Sequence, residues 1–180
     1  LFNEEGEPNV TTNHIADEMD ISPGNLYYHY RSKDDIIWQI FLNYEKKIND
    51  VLNLKDVNYT SMEDMWFYLH MVFEVIAEYR FLNLIQLMTR IEFLKRHFRH
   101  ILALKSQTAL NIMKNLAKLG TLKADEQTIA SLADQIALTA TFWLNYSIAI
   151  YDDDFDEEKK LSHGIFHVMR MVAPFLTETE

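Results

Sequence analysis

The sequence predicts an all-α protein, and three observations support this fold class. Its 180 residues include four glycines and three prolines, so helices are interrupted rarely. Apolar residues recur at helical spacing along most of the chain, and no stretch of useful length alternates as a strand does. Hydrophobic residues make up 48% of the chain, which is enough for a sizeable core and excludes overall disorder.

Charge and cysteine content exclude several classes of protein. The net charge of −10 argues against binding nucleic acid through bulk charge. The chain has no cysteine, which excludes disulfide scaffolds and thiolate chemistry and fits the cytoplasm, where we expect the protein. Residues 1–6 do not resemble a signal peptide. The longest uncharged run, residues 135–151, is short and partly polar, so we expect a buried helix and no membrane contact.

Turn-forming residues are concentrated near the start of the chain. Thr11 can cap a short helix that ends near Met19, and the spacing places Ile15, Ala16 and Met19 on its inner face. Residues 20–24 then form a tight turn. A short helix followed by such a turn is the first half of a helix-turn-helix unit.

The next helix runs from Pro23 to about Tyr30, because a proline is well tolerated at a first helical position. Leu26 and Tyr30 share one face and are the expected buried anchors. The other sides carry donors and flat rings suited to a DNA major groove: Gly24, Asn25, Tyr27, Tyr28 and His29. Plain bundle packing is the alternative. A net charge of −5 over residues 1–47 also opposes DNA binding.

Ser32 begins a third helix, in which its hydroxyl can accept the backbone N–H of Asp35. Lys33 lies in the first turn, where a cation beside exposed N–H groups suits a phosphate oxygen. The apolar stripe of this helix consists of Ile36, Ile37, Ile40, Phe41, Tyr44, Ile48, Val51 and Leu52.

The remaining chain reads as a helical body. We predict a helix that opens at residues 61–64 and carries Met65, Leu69, Val72, Phe73, Ile76 and Tyr79 on its apolar side. Further segments are predicted at about 82–89, 91–119 (ended by Gly120), 125–150 and 157–176 (bent or ended near Pro174), with an acidic loop at 152–156. The module boundary falls near residues 49–60, which divides the chain into a helix-turn-helix module, 1–48, and a regulatory and dimerisation domain, 49–180.

Two stretches together resemble a known family. Val10-Thr11-Thr12-Asn13-His14-Ile15-Ala16 is followed by Ile21-Ser22-Pro23-Gly24-Asn25-Leu26-Tyr27-Tyr28-His29-Tyr30-Arg31-Ser32-Lys33-Asp34. This order is similar to the DNA-binding signature of the tetracycline-repressor (TetR) family, T-T, I-A, a small turn and G-x-L-Y-x-H-F-x-S-K. Tyr30 stands where phenylalanine is usual.

The resemblance implies a homodimeric, ligand-responsive transcription factor, usually a repressor, that binds double-stranded operator DNA and a small-molecule effector. By position, the residues that would face DNA are Thr12, Ser22, Gly24, Asn25, Tyr27, Tyr28, His29 and Lys33. Of these, Tyr27, Tyr28, His29 and Lys33 would mostly touch phosphates, while Gly24 and its neighbours would approach bases. The rival interpretation is an all-helical ligand-binding or protein-interaction domain without DNA binding.

The first helix of the family signature precedes the loop at residues 5–8, and only Leu1 and Phe2 remain of it here. We therefore infer that roughly one helix is missing at the N-terminus. Without that helix we expect Ile15, Met19 and Leu26 to lack a packing partner, so that the module is loose.

Residues 80–123 carry nine Lys and Arg residues against one acid, Glu92. This segment is either an additional site for phosphate or an anionic ligand, or a solvated face paired with acidic helices. His97 and His100 do not make a convincing metal site, so we expect neither metal nor cofactor. We also find no paired carboxylates, no catalytic triad and no phosphate loop, and we predict that the protein is not an enzyme.

A regulatory domain of this type is expected to keep an apolar cavity with a few polar groups. The candidate lining residues are Trp66, His70, Phe93, Trp143 and Tyr146. In sequence, however, core and cavity residues look alike.

The last two long helices predict a dimer interface. Small residues recur at helical spacing in one, which allows close approach, and the other has a narrow polar face. We expect these helices from two chains to form a four-helix interface, and internal packing is the alternative. The interface residues predicted are Ala133, Ala137, Ala140, Ile165, Val168, Met169 and Val172.

Overall fold

The computed structural model of the chain describes residues 1–53, 61–83, 85–151 and 156–177. The fold is all-α, as predicted. Across these residues the helices are α1 (Phe2–Glu5), α2 (Thr12–Glu18), α3 (Pro23–His29), α4 (Lys33–Leu52), α5 (Met62–Glu78), α6 (Ile85–Arg90), α7 (Glu92–Lys118), α8 (Glu126–Ile150) and α9 (Glu157–Val172), with 3-10 turns at Glu7–Asn9, Arg80–Asn83 and Ala173–Phe175.

Side-chain caps set the start of the helices in the N-terminal module, and the sequence predicts two of them, at Thr11 and Ser32. In each case a hydroxyl oxygen accepts a backbone N–H three residues ahead, which contributes about 1 kcal/mol per cap. The pairs are Thr11 with His14, Ser22 with Asn25, and Ser32 with Asp35. Ser61 and Asp64 cap α5 reciprocally in a capping box.

The N-terminal module is packed on the body. Ile15, Ala16 and Leu26 are buried in a continuous core that also contains Phe2. The ring of Phe2 lies 4.9 Å from that of Phe81, between centroids. The expectation that Ile15 and Leu26 lack partners is therefore wrong, because α2 packs on α3 and both residues are buried in this core.

Met19 is not on the inner face, contrary to the prediction. The side chain is 59% exposed because α2 ends at Glu18 and Met19 occupies the C-cap. Tyr30, predicted as a buried anchor, is half-buried against the core. Leu26 is thus the main anchor of α3.

The body is a bundle in which α8 packs between α7 and α9, and α5 packs on α9. Helix α4 packs on α5 and α7, and Lys33 in its first turn bonds to the carbonyl groups of Glu7 and Val10. A single helix therefore connects the N-terminal segment with the body. Its predicted apolar stripe is buried at Ile36, Ile37, Phe41, Tyr44, Ile48 and Leu52.

Several boundaries differ from the prediction. The segment expected at 82–89 is divided into the 3-10 turn Arg80–Asn83 and α6. The last helix ends at Val172, and Pro174 lies in the following 3-10 turn. Gly120 ends α7 in the left-handed region at φ 78°, as predicted for a C′ glycine. Most of the predicted acidic loop, residues 152–155, lies outside the described residues. No helix in the described ranges has the length and apolar character needed to cross a bilayer.

Candidate functional site

Helix α3 presents a polar and aromatic face to solvent. Leu26 points inward and is 2% exposed, whereas Tyr27 and Tyr28 are 50% and 84% exposed. Gly24 and Asn25 lie on the same open side. A Cβ added at Gly24 meets only the Ser22 hydroxyl oxygen, at 3.9 Å, so a ligand can approach the backbone closely there. This face can offer hydrogen bonds and flat rings to the floor of a groove.

Side-chain contacts fix the orientation of α3 on α2. The Thr12 and Tyr27 hydroxyl oxygens lie 2.8 Å apart and share a hydrogen bond. In the turn between the helices, Asp20 has a φ of 53°, a left-handed conformation that aspartate tolerates better than most residues. The Ile21 N–H donates to the Ala16 carbonyl at 3.0 Å. The turn is therefore closed by backbone contacts, and the exposed face is held in place.

Lys33, which the sequence predicts to contact a DNA phosphate, is engaged by acceptors within the chain. Its Nζ donates to the carbonyl oxygens of Glu7 and Val10, both at 2.9 Å. It also lies 2.9 Å from a carboxylate oxygen of Glu7. All three ammonium donors are thus occupied inside the chain, and Lys33 fastens the N-terminal turn to the start of α4.

Glu7 is the centre of an ionic cluster that we define as Glu7, Lys33, Asp34 and Arg90. The Glu7 side chain is 3% exposed, and Arg90 donates to its carboxylate at 2.8 Å and to Asp34 at 2.9 Å. Burial alone raises the pKa of Glu7, but hydrogen bonds and charge from Arg90 and Lys33 outweigh burial and hold the pKa below its ordinary value. Because Arg90 is the last residue of α6, this cluster joins the small module to the body.

Arg31 is an exposed cation that the residue-level reasoning missed. It follows α3 directly and is open to solvent, while its backbone N–H donates to the Asp35 carboxylate at 3.0 Å. The signal was present in the motif, since Arg31 and Lys33 are the basic residues nearest to α3. The sequence does not show which of these two cations forms an ion pair within the chain.

Comparison with known proteins identifies the family. Residues 1–40 match the family model described as bacterial regulatory proteins, tetR family. Residues 43–180 match a second model, described as bacterial transcriptional repressor. The chain belongs to the TetR family. Regulators of this family bind DNA and act as dimers, and the fold of this chain has the same division into a helix-turn-helix module and a helical domain.

Individual relatives agree with this assignment. A TetR-family regulator from Marinobacter aquaeolei VT8 is 34% identical, with a TM-score of 0.87 over 98% of this chain and 86% of the other. A TetR regulator from Haloarcula marismortui is 14% identical, with a TM-score of 0.72 over 98% and 92% of the two chains. An HTH-type transcriptional regulator from Staphylococcus aureus is 39% identical over 57 residues, which is 28% of this chain and 31% of that regulator's length.

In the TetR body, the aromatic residues predicted to line one cavity are in three places. Trp66 stacks on His70 along the exposed side of α5, at 5.2 Å between centroids. Trp143 lies 5.6 Å from Tyr146 on α8. Phe93 packs against Trp38 of α4 at 4.7 Å. The structure therefore does not gather this set around a single cavity, because the residues occupy different faces of the bundle.

An internal cavity lies elsewhere, beside Lys105 of α7. Its volume of about 20 Å³ accommodates roughly one water molecule. Lys105 is 4% exposed, and burial lowers its pKa to about 7. The other lining residues come from α4, α5, α7 and α8: Leu52, Tyr68, Leu69, Val72, Ala109, Ile136, Ala137 and Ala140.

Most of the residues predicted for the dimer interface are buried within the TetR subunit, and their contact with a second copy stays a prediction. Six of them are buried within the single chain: Ala133, Ala137, Ala140, Ile165, Val168 and Val172. Met169 is half-buried. These side chains help to pack α8 and α9 into the subunit.

The outer surface of the same two helices carries a different apolar set. Leu138, Tyr146 and Phe166 are each more than half exposed. With Phe142 and Met171 they surround or adjoin an open groove of about 470 Å³ on this side of the TetR body. Exposed apolar patches are typical of surfaces through which proteins associate.

Proposed function

We propose that this TetR-family chain is a transcriptional regulator that binds double-stranded operator DNA as a homodimer in the cytoplasm. We further propose that it represses transcription until a small molecule releases it, with no catalytic role of its own. The observation that carries the proposal is α3, whose anchor Leu26 is buried while Gly24, Asn25, Tyr28 and His29 face outward. The Tyr28 ring is 84% exposed, so burial within the subunit does not account for an aromatic residue at this position.

At the DNA surface, Gly24 and Asn25 are placed to approach bases, since they lie at the exposed start of α3. Tyr27, Tyr28 and His29 follow on the outer side and suit phosphates. Thr12 and Ser22 flank them with hydroxyl groups. Because Lys33 is engaged by Glu7, we assign the nearby phosphate-binding cation to Arg31.

The homodimer is proposed to form through the outer apolar surface of α8 and α9. Leu138, Tyr146 and Phe166 would be covered there by the same residues of a second copy, as an isologous interface requires. Two copies of α3 would then be presented to successive major grooves.

Regulation is proposed to work by population shift. An effector in the body that favours one arrangement of the subunits would move the two α3 helices away from groove spacing and reduce operator affinity. Helix α4 can carry this change, since it lines the Lys105 cavity at Leu52 and begins in the DNA-binding module at Lys33.

The test is binding of the full chain to the DNA upstream of its own coding region, measured by fluorescence anisotropy at several salt concentrations. We expect sequence-selective binding that weakens with salt as phosphate contacts predict. Tyr28→Ala and Arg31→Ala should each reduce affinity about tenfold or more. Phe67→Ala removes another exposed aromatic ring, on α5, and is the matched control, with affinity unchanged.

A second candidate, a helical ligand-binding or interaction domain without DNA binding, is favoured by one observation. The module is acidic, and the cation expected to contact phosphate is held by Glu7. Wild-type protein with no selective DNA binding, or binding that Tyr28→Ala and Arg31→Ala leave unchanged, would replace the proposed function with this one.

A further inference from the structure

We propose that Lys105 is the recognition group for an apolar carboxylic acid, which binds in the cavity beside it and acts as the effector. The inference deepens the proposed function and rests on it, since an effector matters only if the protein is a regulator.

The Lys105 amine is buried with two neutral partners. Its Nζ lies 3.1 Å from the Thr141 hydroxyl oxygen and 3.4 Å from that of Tyr44. Thr141 donates its own proton to the Ala137 carbonyl at 2.7 Å, so its oxygen can only accept from Lys105. No carboxylate pairs with Lys105 among the residues that the structure describes. Burial lowers the pKa of this amine to about 7, so protonating it inside the protein costs free energy unless an anion accompanies it.

The titratable groups around this amine are few in the described chain. Tyr44 faces it from α4, and burial raises the pKa of Tyr44 above its ordinary value. From α5, Tyr68 lines the cavity, whereas α8 contributes the hydroxyl of Thr141 and apolar side chains. Tyr44 therefore supplies no negative charge near neutral pH. An anion that accompanies protonation of Lys105 would come from a ligand.

The side chains that line the cavity indicate the chemistry of the rest of the ligand. Apart from Lys105 and the Tyr68 hydroxyl, the lining side chains are hydrocarbon: Leu52, Leu69, Val72, Ala109, Ile136, Ala137 and Ala140. One cation balances one negative charge, so a singly charged carboxylate fits better than a doubly charged phosphate. The space present is the size of a water molecule, so the carboxylate can take it while the tail displaces apolar side chains.

Binding would be coupled to a proton and to the DNA-binding module. Burial keeps the pKa of Lys105 near 7, and a bound carboxylate raises it, so the complex takes up a proton at alkaline pH. The same event competes with the contact between Lys105 and Tyr44, which lies on the helix that starts at the operator-reading unit. Binding of the acid therefore changes a contact of α4 directly.

The experiment is isothermal titration of the full chain with straight-chain acids from butanoate to dodecanoate, and with 1-octanol as a neutral comparator. Titrations at about pH 8 in phosphate and in Tris measure the protons taken up. We expect at least one acid to bind with uptake of roughly one proton, and to bind at least about tenfold more tightly than 1-octanol.

Lys105→Met keeps the length of the side chain and removes the amine, and Lys118→Met, at an exposed position of α7, is the matched control. We expect Lys105→Met to abolish proton uptake and weaken the acid at least about tenfold, leaving 1-octanol binding unchanged. If Lys105→Met disturbs folding, the proton uptake measured with the wild type tests the proposal without the variant.

Failure of the Lys105 proposal can be distinguished from failure of the proposed function. Wild type that binds operator DNA but no acid of the series, or binds acid without proton uptake, overturns the role of Lys105 and leaves the regulator intact. Equal binding of 1-octanol and the acid also overturns it. Wild type that binds acid but no DNA overturns the proposed function instead.

Discussion

At the scale of single residues, the burial of Lys105 makes the stability of the protein depend on pH. A lysine titrates near pH 10.4 when it is free in an unfolded chain, but its pKa in the folded protein is about 7. Between these values the unfolded chain binds a proton that the folded protein does not. The free energy of unfolding contributed by this residue therefore rises with pH across that window.

We expect the difference in unfolding free energy between wild type and Lys105→Met to rise by up to about 1.4 kcal/mol per pH unit between about pH 7 and pH 9. Below this window the wild type should be no more stable than the variant, because the folded protein must bury a charge. Urea unfolding at fixed protein concentration measures both.

For Lys118→Met the same difference should not change with pH, since Lys118 is exposed. A flat difference for Lys105→Met would mean that the folded protein keeps Lys105 charged and compensated.

At the scale of elements, the cluster of Glu7, Lys33, Asp34 and Arg90 holds the N-terminal turn, α4 and α6 together. Removing the charge of its buried member leaves two cations without their main acceptor. We expect Glu7→Gln to lower the free energy of unfolding by about 1–3 kcal/mol near neutral pH, as measured by urea unfolding.

The pH dependence of this effect follows from the lowered pKa of Glu7. Its contribution is fully present above the pKa of the unfolded chain and is lost as pH falls through the folded pKa. The wild type and Glu7→Gln should therefore converge in acid. Glu5→Gln, at an exposed position nearby, should change stability little, and an equal loss for both would argue against the cluster.

A second element-scale feature is the contact of α9 with α5 and α8 at Gly164. A Cβ built there would lie 2.5 Å from Cδ1 of Trp143 and closer still to the ring of Phe73. Trp143 cannot swing away freely, since its Nε1 donates to the Lys160 carbonyl at 2.7 Å. The glycine is what allows these helices to approach.

Gly164→Ala is expected to destabilise the protein by about 1–3 kcal/mol in thermal or urea unfolding. Helix propensity alone predicts the opposite sign, because alanine is the better helix former by about 1 kcal/mol. Gly24→Ala is the comparison, since space is open at that position and stability should hold or rise. A stabilised Gly164→Ala variant would show that α9 can shift without cost.

At the scale of the whole molecule, the outer surface of α8 and α9 decides whether two reading helices act together. Phe166→Asp and Leu138→Asp each place a charge where the proposed partner copy packs. We expect dimers to become monomers in sedimentation analysis, and operator affinity to fall at least about tenfold because the second half-site is no longer linked.

Phe67→Asp introduces the same charge at an exposed aromatic residue of α5 and should leave the dimer intact. If Phe166→Asp and Leu138→Asp remain dimeric, the chain associates through another surface.

Much of this protein is determined by local sequence signals. Helix starts follow from hydroxyl caps such as Ser32, and the end of α7 follows from Gly120, because both depend on backbone geometry within a few residues. The exposed face of α3 follows from helical periodicity around Leu26. The family assignment follows from residue types at fixed spacing in the same stretch.

Only the tertiary structure decided which of several chemically similar residues has which role. Lys33 and Arg31 are both cations beside α3, yet only a distant glutamate and the fold show that Lys33 is consumed inside. Alanines of α8 pack inward rather than toward a partner, because α7 and α9 occupy that side. Lys105 resembles every other lysine of its basic segment until α4, α5 and α8 close around it. Periodicity tells which faces are apolar, but which neighbour covers each face depends on contacts between residues far apart in the chain.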